Sequence, residues 1–227
     1  MDELDRPIWH ALAGRQRRFA QGSPLALRYD PEISPFAACR DDGPAACAAL
    51  ARLVPDTGTL VLLQAGPAPL PEGCAATLTA QGVQMRLRAL RPRRLEHAAQ
   101  ALGAADLADM LELAAVTRPG PFLPGTPRLG RYLGIRIDGR LAAMAGERLR
   151  TGACTEVSAV CTHPDFRGRG LAAQLTSLVV ERMLARGERP FLHAFADNHG
   201  AIRLYEALGF VKRRDMCVLA LQRPAPG

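Results

Sequence analysis

The sequence predicts a mixed α/β fold, in which helices cover a twisted mixed β-sheet. First, three apolar runs (132–137, 140–149 and 155–162) are joined by tight-turn signals and predict a β-meander. Second, leucines and valines recur at three- and four-residue intervals over 171–186, the spacing of a buried helix face. Third, this helix is followed by a strand at 190–195, a helix at 201–208 and a strand at 216–221. A crossover helix between neighbouring parallel strands is therefore expected.

The part of the chain before residue 92 predicts a smaller α/β lobe. Its pattern indicates helices over 6–20 and 45–54, strands at 26–29 and 59–64, and a proline-broken loop at 66–73. The arginine-rich stretch 88–94 is typical of a boundary. We expect a companion lobe at 1–92 and a second domain at 93–227, which begins with a helix over 105–116 and an irregular loop over 117–127.

Composition narrows the class of protein. The chain has 227 residues, of which 48% are hydrophobic and 22% charged, as in globular proteins. It contains no long apolar run and no basic-then-apolar leader, so a soluble cytoplasmic protein without a membrane partner is expected. Six scattered cysteines form no CxxC pair, so neither a metal site nor a disulfide framework is expected. Cys161 with His163 as its base remains an alternative as a catalytic nucleophile.

The positive charge is concentrated in the second part of the chain. Of a net charge of +7, residues 1–92 contribute +1 (10 basic, 9 acidic) and the remainder contributes +6 (19 basic, 13 acidic). This excess favours an anionic partner such as a nucleotide-bearing cofactor. Nucleic acid is the rival partner, but the sequence has no zinc finger and only 5% aromatic residues, so no nucleic-acid partner is expected.

The stretch "THPDFRGRGLA", residues 162–172, predicts an anion site between a strand and a helix. The first amides of a helix lack internal partners, and the helix dipole favours negative charge there. Gly168 and Gly170 let the backbone approach a phosphate closely, and Arg167 and Arg169 can neutralise further phosphates. An exposed basic turn without a ligand is the alternative.

Two motifs together resemble the GNAT superfamily of N-acetyltransferases. Arg167-x-x-Gly170-x-Ala172 resembles the acetyl-CoA signature of that family, and "DNHGAIRLYEALGF" (197–210) resembles its second cofactor segment. The resemblance covers roughly residues 93–221. The N-terminal part resembles the degenerate companion lobe of two-lobed members, including glycine N-acyltransferase-like proteins. The fold implied is a GNAT-type mixed sheet preceded by that smaller lobe.

The resemblance implies how acetyl-CoA is held. The pantetheine arm would pair with backbone groups of one strand end, and the diphosphate would lie on the amides that open the following helix. Asn198 would bond the arm, although a helix cap explains this residue as well. The cofactor-binding residues implied are Val160, Cys161, Thr162, Arg167, Gly168, Arg169, Gly170, Leu171, Ala172, Asn198 and Tyr205.

Two residues are implied in proton transfer. Tyr205 matches the general acid of the family, although its helical spacing also fits a core tyrosine. Glu156, on a strand beside the expected thioester, is the preferred general base, and an apolar setting predicts a raised pKa for its carboxyl. Glu147 is the second candidate, and ion pairs with Arg148 or Arg136 are the alternative for both. His163 and His193 are weaker candidate bases.

The activity implied is transfer of an acetyl group from acetyl-CoA directly to a primary amine. By analogy, a small amine or amino acid is preferred as acceptor. A protein N-terminus, a protein lysine and a catalytically silent acyl-CoA sensor remain alternatives, and the chain is expected to be a monomer or homodimer.

Overall fold

The computed structural model describes residues 2–93 and 96–224 and has a mixed α/β architecture. Arg94, part of the expected boundary stretch, lies outside the described residues. The strands are β1 (Ala20–Gly22), β2 (Ala26–Tyr29), β3 (Ala37–Cys39), β4 (Leu60–Gln64), β5 (Ala75–Leu87), β6 (Ala99–Leu102), β7 (Tyr132–Ile137), β8 (Arg140–Arg150), β9 (Cys154–Thr162), β10 (Arg189–Phe195) and β11 (Phe210–Gln222). The helices are α1 (Pro7–Ala13), α2 (Pro44–Ala51), α3 (Leu107–Thr117), α4 (Leu171–Leu184) and α5 (His199–Ala207).

These strands form two sheets. A small antiparallel sheet has the order β1-β2-β3, and an eight-stranded sheet has the order β4-β11-β5-β10-β9-β8-β7-β6. The predicted fold class is therefore confirmed. The meander is formed by β7, β8 and β9, and the Asp138-Gly139 turn between the first two has φ of 49° and 78°, as a type I′ turn requires.

The large sheet contains strands from both sides of residue 92. β5 lies between β10 and β11 and pairs antiparallel with both, and β4 pairs with β11. Strands β4 and β5 precede residue 92 and yet belong to the same sheet as the later strands. The domain boundary between residues 92 and 93 remains a prediction.

Different helices cover the two faces of the large sheet. Leu175 and Val179 of α4 are fully or almost fully buried and pack with Leu192 of β10, whereas Phe191, the preceding strand residue, packs with the N-terminal helix α1. α3 packs on the same strands as α4 but in a separate cluster with Tyr132 and Cys161. Each large apolar side chain buried in this way contributes about 1.5–3 kcal/mol.

The N-terminal helix is shorter than predicted. α1 ends at Ala13, a 3₁₀ turn spans Arg17–Phe19, and β1 follows at once. Gly14 is the C-cap, and glycine suits this position because a Cβ there would lie 2.7 Å from the His10 carbonyl oxygen. In the part of the chain that is described, no helix is long and apolar enough to cross a membrane.

Candidate active site

Parallel strands β9 and β10 separate to form a fork. Their pairing covers Cys154 to Val157 on β9 and ends at the pair Val157–Leu192. β9 continues to Thr162 and β10 to Phe195. On the side away from β8, the edge of β9 over 158–162 therefore faces the fork, with no neighbouring strand among the residues that the structure describes.

A β-bulge at Ala159 redirects the side chains along the fork. Ala159 has φ of 51°, a left-handed conformation that costs a non-glycine residue about 1–2 kcal/mol. The register with β8 shifts at this point. As a result, Val157 and Val160 both pack toward α4, whereas Ala159 and Cys161 pack toward α3.

The strand β9 leads directly into an anion cradle. A 3₁₀ turn over Pro164–Phe166 is followed by Gly168 with φ of 79° and by Gly170 with φ of 71°, the N-cap of α4. Because Gly170 has no side chain, the first amides of α4 stay open to a ligand. A cavity of about 220 Å³ lies here, lined by Thr162, Phe166, Arg167, Gly168, Arg169, Gly170, Leu171, Ala172, Ala173 and Leu204.

The cradle gathers most of the residues expected to bind the cofactor. Seven of them line this one cavity, and Val160 and Cys161 lie on the adjoining fork. Phe166, Ala173 and Leu204 also line it but were not predicted, because a short glycine-arginine motif gives no signal for its apolar walls. Asn198 is the N-cap of α5, and its Oδ1 accepts a hydrogen bond from the Ala201 amide at 3.1 Å.

Tyr205 of α5 is buried beside the fork. Its ring packs edge-on to Phe210, with the centroids 6.1 Å apart, and it is 8% exposed. Burial raises the pKa of the phenol, and the nearby Cys161 and Glu156 raise it further. The phenol is therefore protonated at neutral pH and can act as a hydrogen-bond donor.

Glu156 lies at the base of the fork with both carboxylate oxygens saturated. Oε1 accepts from Arg148 Nη2 and His193 Nδ1, each at 2.7 Å. Oε2 accepts from Arg148 Nε at 2.9 Å and from the Leu149 amide at 3.3 Å. Four donors thus occupy a carboxylate that has no exposure to solvent.

Comparison with known proteins places this site in a family. A family profile described as FR47-like protein matches residues 132–219, which include the fork, the cradle and Tyr205. A crystal structure from Novosphingobium aromaticivorans, described as an acetyltransferase of the GNAT family, is 44% identical, with a TM-score of 0.93 over 99% of this chain and 100% of that one. The chain belongs to the GNAT family. It is an enzyme of the N-acetyltransferase class.

Two further proteins resemble this chain less closely. A GCN5-related N-acetyltransferase from Kribbella flavida has a TM-score of 0.66 at 19% identity, over 100% of this chain and 97% of that one, and shares the fold. Mycothiol acetyltransferase from Corynebacterium aurimucosum is 39% identical over 71 residues, which are 31% of this chain. That alignment spans only 23% of the relative's length.

The raised pKa expected for Glu156 in this GNAT enzyme is wrong. Burial alone would raise the pKa, but the charge and hydrogen bonds of Arg148, with a hydrogen bond from His193, lower it to about 2. The apolar pattern of β9 predicted the burial correctly. The ion pair with Arg148, eight residues earlier on β8, is the alternative that the sequence left open for Glu156, and it is the one that the structure forms.

The orientation of His193 follows from its neighbours. Gln84 Oε1 accepts from Arg213 Nη1 at 2.9 Å, and Gln84 Nε2 donates to the Leu4 carbonyl at 2.8 Å, which fixes the amide. The second hydrogen on Gln84 Nε2 then faces His193 Nε2, 2.9 Å away. These contacts assign Nε2 of His193 as an acceptor from Gln84 and Nδ1 as the donor to Glu156.

Glu147, the second candidate general base, is also held in ion pairs. Glu147 forms ion pairs with Arg150 and Arg186, instead of Arg148 or Arg136. Arg136 pairs with Asp106 at 2.7 Å and with Asp109.

The histidine expected to serve Cys161 is directed elsewhere. His163 Nδ1 accepts from the Asp165 amide at 3.2 Å, and its Nε2 lies 3.2 Å from Arg140 Nη2. Burial raises the pKa of the Cys161 thiol to about 11, so it is protonated at neutral pH. This arrangement does not provide the activated thiolate that a cysteine nucleophile requires.

Replacing Glu156 with Gln is expected to lower the free energy of unfolding by about 3–5 kcal/mol, because Arg148 would remain buried and uncompensated. Urea denaturation at pH 7 measures this loss. Asp165→Asn is the matched control, since it breaks an ion pair with Arg140 that is exposed on both sides, and little change is expected. Equal stability of Glu156→Gln and the native protein would contradict the assigned pair.

The same carboxylate predicts a pH dependence of stability. Its folded pKa of about 2 lies below its ordinary value of 4.5, so its stabilisation is complete above that value and is lost as the pH falls toward 2. The contribution is about 3 kcal/mol. Denaturation from pH 5 to 2 should show this loss in the native protein and a smaller one in Glu156→Gln.

Proposed function

We propose that this GNAT enzyme transfers an acetyl group from acetyl-CoA directly to a primary amine, and that the acceptor is a small amine or an amino acid. The observation that carries the proposal is the continuity of the fork with the cradle. The edge of β9 over 158–162 that faces the fork runs into a glycine-arginine turn that opens α4. This arrangement suits a ligand with an extended arm and a diphosphate end.

The donor fits the residues present. Backbone groups of Val160, Cys161 and Thr162 would bond the pantetheine arm as an added strand. The amides of 168–172 would bind the diphosphate, aided by the dipole of α4. Arg167 and Arg169 are exposed and have no carboxylate partner in residues 2–93 and 96–224, so both are available for phosphate. Asn198 would bond the arm while capping α5.

The acetyl-CoA thioester supplies an activated acyl group and a thiol leaving group. An amine attacks its carbonyl carbon, the new C–N bond forms, and the C–S bond breaks. A backbone amide at Val160 or Cys161 would stabilise the negative carbonyl oxygen. Tyr205 would donate its proton to the departing thiolate, and the second proton that the attacking nitrogen loses would return through water to the phenol.

The saturated Glu156 changes the proposed route of the amine proton. A carboxylate with four donors and a lowered pKa is a poor proton acceptor. We assign to Glu156 the role of holding His193 and Arg148 in position on the acceptor side of the fork, the side on which the loop over 117–127 lies. The ammonium of the substrate would lose its proton to water in the fork.

The acceptor side favours a small substrate over a protein chain. The loop over 117–127 is fastened to the N-terminal part, since Thr126 Oγ1 donates to the Ile33 carbonyl at 2.7 Å and the Gly125 amide donates to the Glu32 carbonyl at 3.0 Å. A fastened loop restricts access by a polypeptide. We also propose that the chain belongs to the two-lobed, glycine N-acyltransferase-like branch, with 1–92 as companion lobe.

We propose that the protein is located in the cytoplasm, and its cysteines are consistent with this location. Cys39, Cys154 and Cys161 are buried free thiols, as a reducing compartment allows.

Release of free thiol from acetyl-CoA tests the proposed function. With a panel of small amines, amino acids and peptides, thiol release above the hydrolysis background is expected for small acceptors. Faster release with peptides would favour a protein acceptor. Acetyl-CoA binding without amine-dependent release would favour the sensor alternative.

A further inference from the structure

A buried hydroxyl on the acceptor side of the fork has no role in the proposed transfer. Tyr132 is 3% exposed, and its hydroxyl has no hydrogen-bond partner in the described part of the chain. A buried hydroxyl without a partner is unfavourable, and such groups are commonly satisfied by water or a ligand. The hydroxyl is therefore a candidate for binding a ligand.

The ring of Tyr132 lies across β8 in the direction of the fork. Tyr132 pairs with Gly146 of β8, and Gly146 pairs on its other side with Ser158, the first residue of the open edge of β9. A Cβ on Gly146 would lie 2.3–2.7 Å from three ring atoms, so the ring occupies the space above this glycine. Gly146 thus allows the phenol to extend from β7 toward the fork.

A second donor lies two residues further along β8. Arg148 uses Nε and Nη2 for Glu156, and its Nη1 has no acceptor within residues 2–93 and 96–224. Its guanidinium stacks on Phe36, 4.8 Å from the ring centroid, and the residue is 9% exposed. The guanidinium is held rigidly, with one nitrogen still free.

Aromatic and loop residues enclose these two donors. Phe122 packs edge-on to Tyr132 at 5.6 Å, and Arg148 Nη1 lies 3.9 Å from where a Cβ on Gly120 would be. Arg118, exposed at the start of the same loop, has no carboxylate partner among the described residues. Glu156 balances the charge of Arg148.

We propose that Tyr132 Oη and Arg148 Nη1 bind the carboxylate of an amino-acid acceptor. Two hydrogen-bond donors, one of them cationic, match an anionic oxygen pair, whereas an alkylammonium group would be repelled by Arg148. With its carboxylate held there, the acceptor would direct its amine toward the fork at Ser158. This inference rests on the proposed function and names its substrate class.

Matched acceptors test the subsite. Each standard amino acid is compared with its own carboxamide as acceptor for acetyl-CoA, by thiol release. For at least one amino acid, the kcat/KM should be about tenfold or more above that of its carboxamide. This ratio corresponds to the free energy of one hydrogen bond to a charged group. Equal or faster use of the amides by the native enzyme would overturn the proposal.

Two tyrosine variants separate binding from stability. Tyr132→Phe should raise KM for the preferred acid about tenfold with kcat little changed, and its Tm should not fall, because the lost hydroxyl has no protein partner. Tyr29→Phe is the control: Tyr29 is 1% exposed and donates to Gln16 Oε1 at 2.6 Å, so its Tm should fall while KM stays constant. An unchanged acid-to-amide ratio in Tyr132→Phe would overturn the proposal.

Failure of the proposed function would be recognisable separately. If no amine releases thiol, thermal shift of the protein with coenzyme A and each amino acid replaces the rate measurement. Stabilisation by an amino acid that is lost in Tyr132→Phe would support the subsite without catalysis. Absence of stabilisation by every amino acid would overturn it.

Discussion

Gly170→Glu is expected to weaken acetyl-CoA binding about 100-fold or more, as measured by calorimetry. Gly170 is the N-cap of α4, and its replacement would place a carboxylate in the cradle where the diphosphate is expected. The substitution reverses the favourable electrostatics of a helix N-terminus. The fold has room for it, because the nearest atom to a new Cβ is Gln174 Nε2 at 3.8 Å.

Gly187→Glu provides the matched control for backbone strain. Gly187 follows the other end of α4 with φ of 73°, against 71° for Gly170, and no atom lies within 4 Å of its Cβ position. Both variants bear the same left-handed strain, about 1 kcal/mol, but only Gly170→Glu adds charge to the cradle. Full affinity in a folded Gly170→Glu protein would move the diphosphate site elsewhere.

Tyr205→Phe is expected to lower kcat about 100-fold while the dissociation constant of acetyl-CoA stays within a few-fold. The loss corresponds to removal of a general acid. The ring contact with Phe210 is kept, so stability should hold. Because burial raises the pKa of this phenol, the native enzyme should show no loss of rate from its ionisation at or below pH 9.

Steady-state rates and calorimetry on the same preparation separate the two roles of Tyr205. Tyr132→Phe serves as comparison, since it removes a second buried phenol that is expected to affect acceptor KM instead. An unchanged kcat in Tyr205→Phe would mean that water or another group protonates the thiolate.

The elements of the second part of the chain could be predicted because their signals are local. The meander, α4 and the strand β10 follow apolar periodicity and turn residues such as Gly139. Strand β5 was missed. Its first residues, 75–81, are largely exposed, but Val83, Met85 and Leu87 alternate with polar residues, so the strand itself has a local signal that the sequence analysis did not use. Its place between β10 and β11 has no local signal, because it depends on pairing with residues more than 100 positions away.

The parts of the candidate site also differ in whether the sequence could predict them. The cradle could be predicted because Gly168, Gly170 and the arginines are contiguous in sequence and lie between a strand and a helix. Of the Glu156 network, the pair with Arg148 was one of two alternatives, and the contacts that bring in His193 and Gln84 from two other strands could not be predicted. Burial of a carboxylate raises its pKa and a buried arginine lowers it, so the sign depends on a contact that the pattern along β9 does not contain.

A crystal structure with coenzyme A bound tests the central claim most directly, namely that the opening amides of α4 hold the diphosphate and the fork holds the arm. The expected result has diphosphate oxygens within hydrogen-bond distance of amides in 168–172, the pantetheine paired along 158–162, and the sulfur near Tyr205. Coenzyme A bound at any other surface, with the cradle empty, would contradict the account.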